Sequence, residues 1–275
     1  MSSAPPGPAR TQEDLRGLVF YSLLAGATAL IPIPLLDDWA FAVVRRRMAR
    51  DILRSREVQA GRLQLRIVLG LYDPGRAGGC LYKAVFTLVV VPLRILSRFL
   101  RDLFRKILIF LAVKQASDWA SNAFHEGYLL RCAAGKLPAG SRLGKTEARR
   151  IRFAIRLTLR GLNTSPVWNI FHGIIRLNRR LLRKAAAGLA RLGRSDRHGK
   201  AEGMDEPAVD EYLRQERRLL DEVVSRLADL LAGERGYLEQ IERRFEGFYG
   251  VGGSAAAAPA APPDESGSPG RRPPD

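Results

Sequence analysis

Gly17–Leu36, GLVFYSLLAGATALIPIPLL, is a run of twenty residues without a charge, closed by Pro32 and Pro34 and followed at once by Asp37 and Asp38. Twenty apolar residues are long enough to cross the hydrocarbon core of a bilayer. The same run also suits a hairpin buried in the core of a helical bundle. Each proline removes a backbone donor and restricts the residue before it, so one smooth helix is excluded. Asp14–Leu30 reads as helix and Ile31–Leu36 as a proline-fixed turn. Asp37 or Asp38 then caps a helix running to about Arg56, where a carboxylate meets free N–H groups and the positive end of the dipole. On that helix Phe41, Val44, Met48 and Ile52 share a face, with Arg46, Arg47, Arg50 and Arg54 roughly opposite. An apolar element joined to a helix that carries Arg45, Arg46, Arg47 and Arg50 points to a membrane surface rather than to a reaction.

Working outward, the charge divides the 275 residues unevenly. Residues 1–201 hold 36 Lys+Arg against 12 Asp+Glu, a balance of +24; residues 202–246 hold 7 against 13, a balance of −6. Four regions follow: a Pro/Ser/Ala-rich segment 1–12 expected to be disordered, a basic helical region 13–201, an acidic helical or coiled-coil segment 202–249, and a disordered Gly/Ala/Pro/Ser-rich tail 250–275. A body this basic favours anionic partners, either acidic lipid headgroups or nucleic acid. Arginine outnumbers lysine 38 to 7, which reads first as codon bias in a GC-rich bacterial genome. Cys80 and Cys132 form no metal-spaced pair and signal no bridge, so a reducing compartment is the default. Ala27-Thr28-Ala29 imitates a signal-peptide cleavage site, but Pro5, Pro6, Pro8, Glu13 and Asp14 precede it and the apolar run continues past it.

The remaining pattern is helical. Gly61–Gly70 reads as a short helix. Leu81–Val113 carries the stripe Leu96, Leu100, Leu103, Ile107 and Leu111 against Arg94, Arg98, Arg101 and Arg105. The β-branched run Val89–Val91 suggests a strand, but it has no second strand to pair with. Lys114–Arg131 is a further helix. Thr146 is expected to cap Glu147–Leu162, with Arg149, Arg152, Arg156 and Arg160 on its polar side. Ser165 and Pro166 restart the chain as cap and first helical residue. The helix Val167–Leu192 sets Ile170, Ile174, Leu181, Ala185 and Leu189 opposite Arg176, Arg179, Arg180, Arg183, Lys184 and Arg191. Gly193–Gly203 reads as a polar linker. In the acidic segment, Val209, Leu213, Leu220, Val223, Leu227, Leu230, Leu238, Ile241, Phe245 and Phe248 recur at three-and-four spacing, with Glu216 and Glu234 at two missing positions. This predicts a long amphipathic helix or, if Gly233 and Gly236 interrupt it, a helical hairpin. The fold class is all-α, a multi-helix bundle.

Motifs for chemistry are weak. Ala139–Thr146 loosely fits a phosphate loop, but no strand precedes it and no apolar run ending in Asp follows. His125, His172 and His198 are isolated, and His125-Glu126 lacks a second ligand at helical spacing. No local grouping suggests a nucleophile. No catalytic, cofactor or metal residues are assigned, and no enzyme activity is expected. Trp39, Trp119 and Trp168 read first as core, although aromatics at headgroup depth are also expected.

The stretch Ala25–Arg50, AGATALIPIPLLDDWAFAVVRRRMAR, resembles the uncharacterised helical domains of the EcsC family and those attached to some membrane-associated bacterial GTPases. There a small-residue helix leads to a Pro-x-Pro turn, an acidic residue and a long helix, matched here by Pro32, Pro34 and Asp37. The resemblance implies an all-helical bacterial protein associated with the membrane. It brings no catalytic residues.

The expected function is therefore non-catalytic binding or scaffolding at the anionic cytoplasmic face of the inner membrane, peripheral or integral. Gly17–Leu36 would insert. The contact candidates are Arg45, Arg46, Arg47, Arg50, Arg94, Arg98, Arg101, Arg105, Arg176, Arg179, Arg180 and Arg183, with Trp168 and Phe171. The segment 205–248 would self-associate or dock on the basic body. The alternative is a soluble basic helical nucleic-acid-binding protein, for which no recognition helix, finger or RNA-binding signature speaks.

Overall fold

The structure is a computed structural model that describes residues 8–31, 36–71, 101–196 and 206–255. Among these residues it has nine helices and no strand: α1 Pro8–Thr28, α2 Leu36–Arg54, α3 Arg62–Val68, α4 Arg101–Gly135, α5 Lys145–Leu159, α6 Ser165–Leu177, α7 Arg179–Asp196, α8 Glu206–Gly233 and α9 Arg235–Ala255. The expected turn at Pro32 and Pro34, the run Val89–Val91, Cys80, His198 and most of the expected linker 193–203 lie outside the described residues. So do residues 1–7 and 256–275. Where the expected disordered ends are described they are helical, at Pro8–Gln12 and up to Ala255.

α1 is the hub. From Gly17 on, the helix is apolar all round and has no face to give to water, so that part belongs inside. Val19, Leu23, Leu24, Ala25 and Ala27 are fully buried, and the helix packs on α4, α2, α8 and α7. Its buried hydroxyls are satisfied locally: Ser22 Oγ donates to the Leu18 carbonyl at 2.8 Å and Thr28 Oγ1 to that of Ala25 at 2.7 Å. Two glycines let neighbouring helices approach closely. A Cβ on Gly26 would stand 2.6 Å from the Ala116 carbonyl oxygen of α4, and one on Gly127 would collide with Leu18 of α1 and Met48 of α2. The apolar run through Ile31 is thus core, which decides between the two readings of its described part. No described helix is long and apolar enough to cross a membrane.

Other expectations shift in register. Val113 and Lys114 fall inside one continuous helix, the 35-residue α4, about 50 Å long at 1.5 Å per residue. Thr146 does not cap α5: Gly144 occupies the cap position and makes no side-chain bond. Nor does Ser165 cap α6; Thr164 holds that position, and the Asn163 side-chain oxygen accepts from the Ser165 N–H at 3.1 Å. The single helix expected over 167–192 breaks at Asn178 (φ −103°, ψ 19°). The Asn178 side-chain amide and backbone N–H both donate to the Ile174 carbonyl, at 3.0 and 2.9 Å, a local competition that asparagine is prone to make.

The acidic segment is two helices meeting at Glu234. α8 packs on α1, α6 and α7, whereas α9 packs chiefly on α5 and also on α4. Leu220, Leu227, Leu231, Ile241 and Phe245 are fully buried there. Glu216, at a position where the periodicity calls for an apolar residue, is buried beside Tyr212, and that burial raises its carboxyl pKa.

Candidate functional site

The arginine rows that look alike in sequence fall into two environments. In α2 two of the four contact candidates turn inward. Arg45 is 8% exposed, pairs with Glu126 of α4, donates to the Leu69 carbonyl at 3.1 Å and lies 5.1 Å over the Phe41 ring. Arg152 of α5 reaches the other oxygen of Glu126 at 3.1 Å, so one carboxylate serves two guanidiniums. Arg47 pairs with Asp210 of α8 and stands 3.8 Å from Asp51, whose other oxygen accepts from the Tyr21 hydroxyl. Arg45 and Arg47 are therefore internal ties rather than surface contacts, because Glu126 and Asp210 reach them from helices far along the chain.

Arg46 and Arg50 are half-buried. The Arg46 Nε donates to the Ala42 carbonyl at 3.2 Å, and burial, then the nearby Arg66, Arg50 and Arg62, hold its pKa below the usual value. Arg94 and Arg98 lie outside the described residues, as do the side chains of Arg101 and Arg105.

α6 and α7 present the opposite case. Arg176, Arg179, Arg180, Arg183, Lys184 and Arg191 are all exposed, and residues 165–193 contain no Asp or Glu. No described carboxylate pairs with any of these six. The break at Asn178 leaves Leu177 74% exposed among them. A parallel arrangement occurs on α5, where Phe153 is 53% exposed between Arg149 and Arg156, with Arg160 a turn beyond.

The two aromatic candidates are structural. Phe171 is fully buried against Phe124 of α4, with ring centroids 5.9 Å apart. Trp168 is half-buried, donates from Nε1 to Asp118 at 2.7 Å and stacks on His172 with centroids 4.6 Å apart. These contacts take the apolar arc of α6 inward. Trp39 packs near Gly193 and Trp119 against Phe41. Asp37 and Asp38 stand in the first turn of α2, where their charge suits the dipole, and Asp37 Oδ1 accepts from the Asp38 N–H at 2.9 Å.

Folding also makes one grouping that sequence spacing hides. His172 Nδ1 lies 3.2 Å from Ser117 Oγ, 55 positions away. The Ser117 hydroxyl donates to the Val113 carbonyl at 2.7 Å and is fully buried, while Asp118 is engaged by Trp168. With its proton committed and no access, Ser117 is not arranged as a nucleophile. His125 is held just as firmly. Burial pulls its pKa down to about 4, so at neutral pH it is uncharged; Nδ1–H donates to the Ser121 carbonyl and Nε2 accepts from the Tyr237 hydroxyl, both at 2.7 Å. Burial and Glu242 push the Cys132 thiol up to about 12, which keeps it protonated and unreactive. No group of metal-ligating side chains occurs among the described residues. The stretch 139–146, whose last two residues already belong to α5, is spent on packing: Leu143 N–H donates to the Gln59 carbonyl at 2.8 Å, and Gln59 N–H to that of Ser141 at 2.9 Å.

Comparison with protein-family models, with characterised proteins and with solved structures finds no match for this chain.

Proposed function

We propose that this chain is a non-catalytic binding protein that docks on anionic phospholipid through the α6–α7 face, at the cytoplasmic surface of the inner membrane. The observation that carries this reading is six exposed cations along α6 and α7 with no Asp or Glu in residues 165–193, and the exposed Leu177 between Arg176 and Arg179. Each Lys or Arg near an anionic leaflet contributes about 1 kcal/mol. Six acting together make binding strong at low salt and weak at high salt. Arginine stems lie along the apolar boundary while their guanidiniums reach phosphates. Leu177 adds a small apolar contact that a purely electrostatic partner would not need. The resemblance of Ala25–Arg50 to membrane-associated helical domains agrees with the same setting. Insertion of Gly17–Leu36 is not part of this reading, since its described part is spent on the core.

Co-sedimentation of the full chain with neutral and with phosphatidylglycerol-containing vesicles tests it. Binding to the anionic vesicles alone, weakened by salt and abolished in R179E/R180E/R183E, is the expected result. Equal binding of that variant and the parent overturns the assignment of the face. Binding to double-stranded DNA with no binding to vesicles transfers the face to nucleic acid.

A further inference from the structure

The outer side of α5 carries a second basic stripe, which docking through α6–α7 does not use. Lys145, Arg149, Phe153, Arg156 and Arg160, the last at the C-cap, are all exposed. At about 100° per residue they fall within about 80° of arc. Ala148, Ile151, Ala154 and Ile155 occupy the buried side. The one acid of this helix, Glu147, is spent on α9, accepting from the Tyr249 hydroxyl at 2.6 Å. Two further arginines are committed inward: Arg150 donates to the Tyr249 carbonyl at 2.7 Å, and Arg152 to Glu126 at 3.1 Å. No described carboxylate pairs with the four cations of the stripe. Phe153 stands among them, 53% exposed.

Phe124 and Glu126 of α4 fix where this stripe lies. Phe124 packs on Phe171 of α6, with centroids 5.9 Å apart, and Glu126 accepts from Arg152 of α5. Two positions along a helix are about 200° apart around it, so α6 and α5 flank α4 from opposite sides. His125, between them, meets Tyr237 of α9 at 2.7 Å. α7 packs chiefly on α1, α2 and α8, and α5 chiefly on α3, α4 and α9. The outer faces of α5 and of α6–α7 therefore look away from each other, and one flat bilayer cannot meet both.

We propose that the α5 stripe meets a second anionic bilayer, so that the protein bridges two membrane surfaces. This rests on docking through α6–α7. Charge complementarity points to phosphate, and Phe153 narrows the class. An aromatic ring among guanidiniums seats at headgroup depth, whereas the backbone of a nucleic-acid duplex offers it nothing to pack on. Four cations against six make α5 the weaker face. A single copy does not hold a vesicle by α5. An array of copies anchored through α7 presents many such faces at once and holds it by multivalency.

The full chain is loaded on beads coated with a phosphatidylglycerol-containing bilayer and washed, and small fluorescent vesicles are then offered at low salt. Capture of phosphatidylglycerol-containing vesicles, and not of neutral ones, is expected. R149E/R156E/R160E should stay on the bead as the parent does, with an unchanged melting temperature, and capture about tenfold fewer vesicles. F153S, which leaves the charge intact, should also capture fewer. A spin label on F153C, in a C80S/C132A background, should be water-exposed on the bead and become oxygen-accessible when the vesicles arrive. Capture that survives in R149E/R156E/R160E overturns the proposal, as does capture of duplex DNA in place of vesicles. A label already shielded before vesicles are added assigns the stripe to a second copy of the chain and overturns it too. A parent held on the bead that captures nothing overturns the bridge alone. A parent that washes off overturns docking through α6–α7, and the bridge with it.

Discussion

The arginines of α2 and those of α7 come from the same sequence pattern and meet opposite fates. In α2, Arg45 and Arg47 are drawn into the bundle by Glu126 of α4 and Asp210 of α8. In α7, Arg179, Arg180, Arg183 and Lys184 stay exposed, and no described carboxylate reaches them. The difference lies in which distant helices pass by and what those helices carry, and not in the stripe itself. A guanidinium with a buried partner is a structural tie; one that no described carboxylate reaches keeps its charge at the surface.

The largest effect is expected from E126A. It leaves Arg45 buried without its counter-charge and removes the partner of Arg152 as well. Stripping one member from a buried pair costs about 3 kcal/mol or more, readable as a shift in the denaturant midpoint. A change under about 1 kcal/mol would mean that Arg45 is not held as a buried ion.

Acid reaches the same rule through an uncharged base. His125 has a folded pKa near 4, below its ordinary 6.5, so the unfolded chain binds its proton more readily. Its contribution is fully present above pH 6.5 and is lost as pH falls through 6.5 towards 4, a window worth about 3 kcal/mol at most. Chemical denaturation at pH 7 and pH 4.5 should show this loss in the parent and a smaller loss in H125Q. Equal losses would assign the acid sensitivity elsewhere.

A smaller effect follows from D210A. Asp210 is about one-third exposed, so losing its pair with Arg47 should cost about 1 kcal/mol. It also frees a guanidinium beside Asp51, and the denaturant midpoint measures the cost. The smallest effect on stability belongs to α7: R179E/R180E/R183E should change folding by less than about 0.5 kcal/mol, because these side chains are exposed and no described carboxylate pairs with them. A large loss of stability there would place α7 in the same class as α2.

How far this could be read from sequence depends on the distance over which each feature is decided. The helices were legible because their periodicity is local, down to Glu216 standing in for a core residue of α8. The inward role of Gly17–Ile31 was open, since an apolar run of that length serves a membrane and a core equally well. Only the helices around α1 separate the two. Asn178 hid its break because its competition for the Ile174 carbonyl is a side-chain event within an otherwise unbroken amphipathic pattern. That break in turn exposes Leu177. Arg45 and Glu126 are 81 positions apart, and Ser117 and His172 are 55 apart. No spacing rule reaches across such intervals. Phe171 is ambiguous for a related reason, because an aromatic at the start of a basic helix reads the same whether it faces lipid or Phe124.

On the proposed reading, anionic lipid meets the α6–α7 break, whose cations no described carboxylate reaches. A spin label on L177C, in a C80S/C132A background, reports it directly through its collision rates with oxygen and with a water-soluble relaxer. With phosphatidylglycerol-containing vesicles the label should become oxygen-accessible and shielded from water, and it should stay water-exposed with neutral vesicles. A label that remains water-exposed while the protein is bound would contradict the claim.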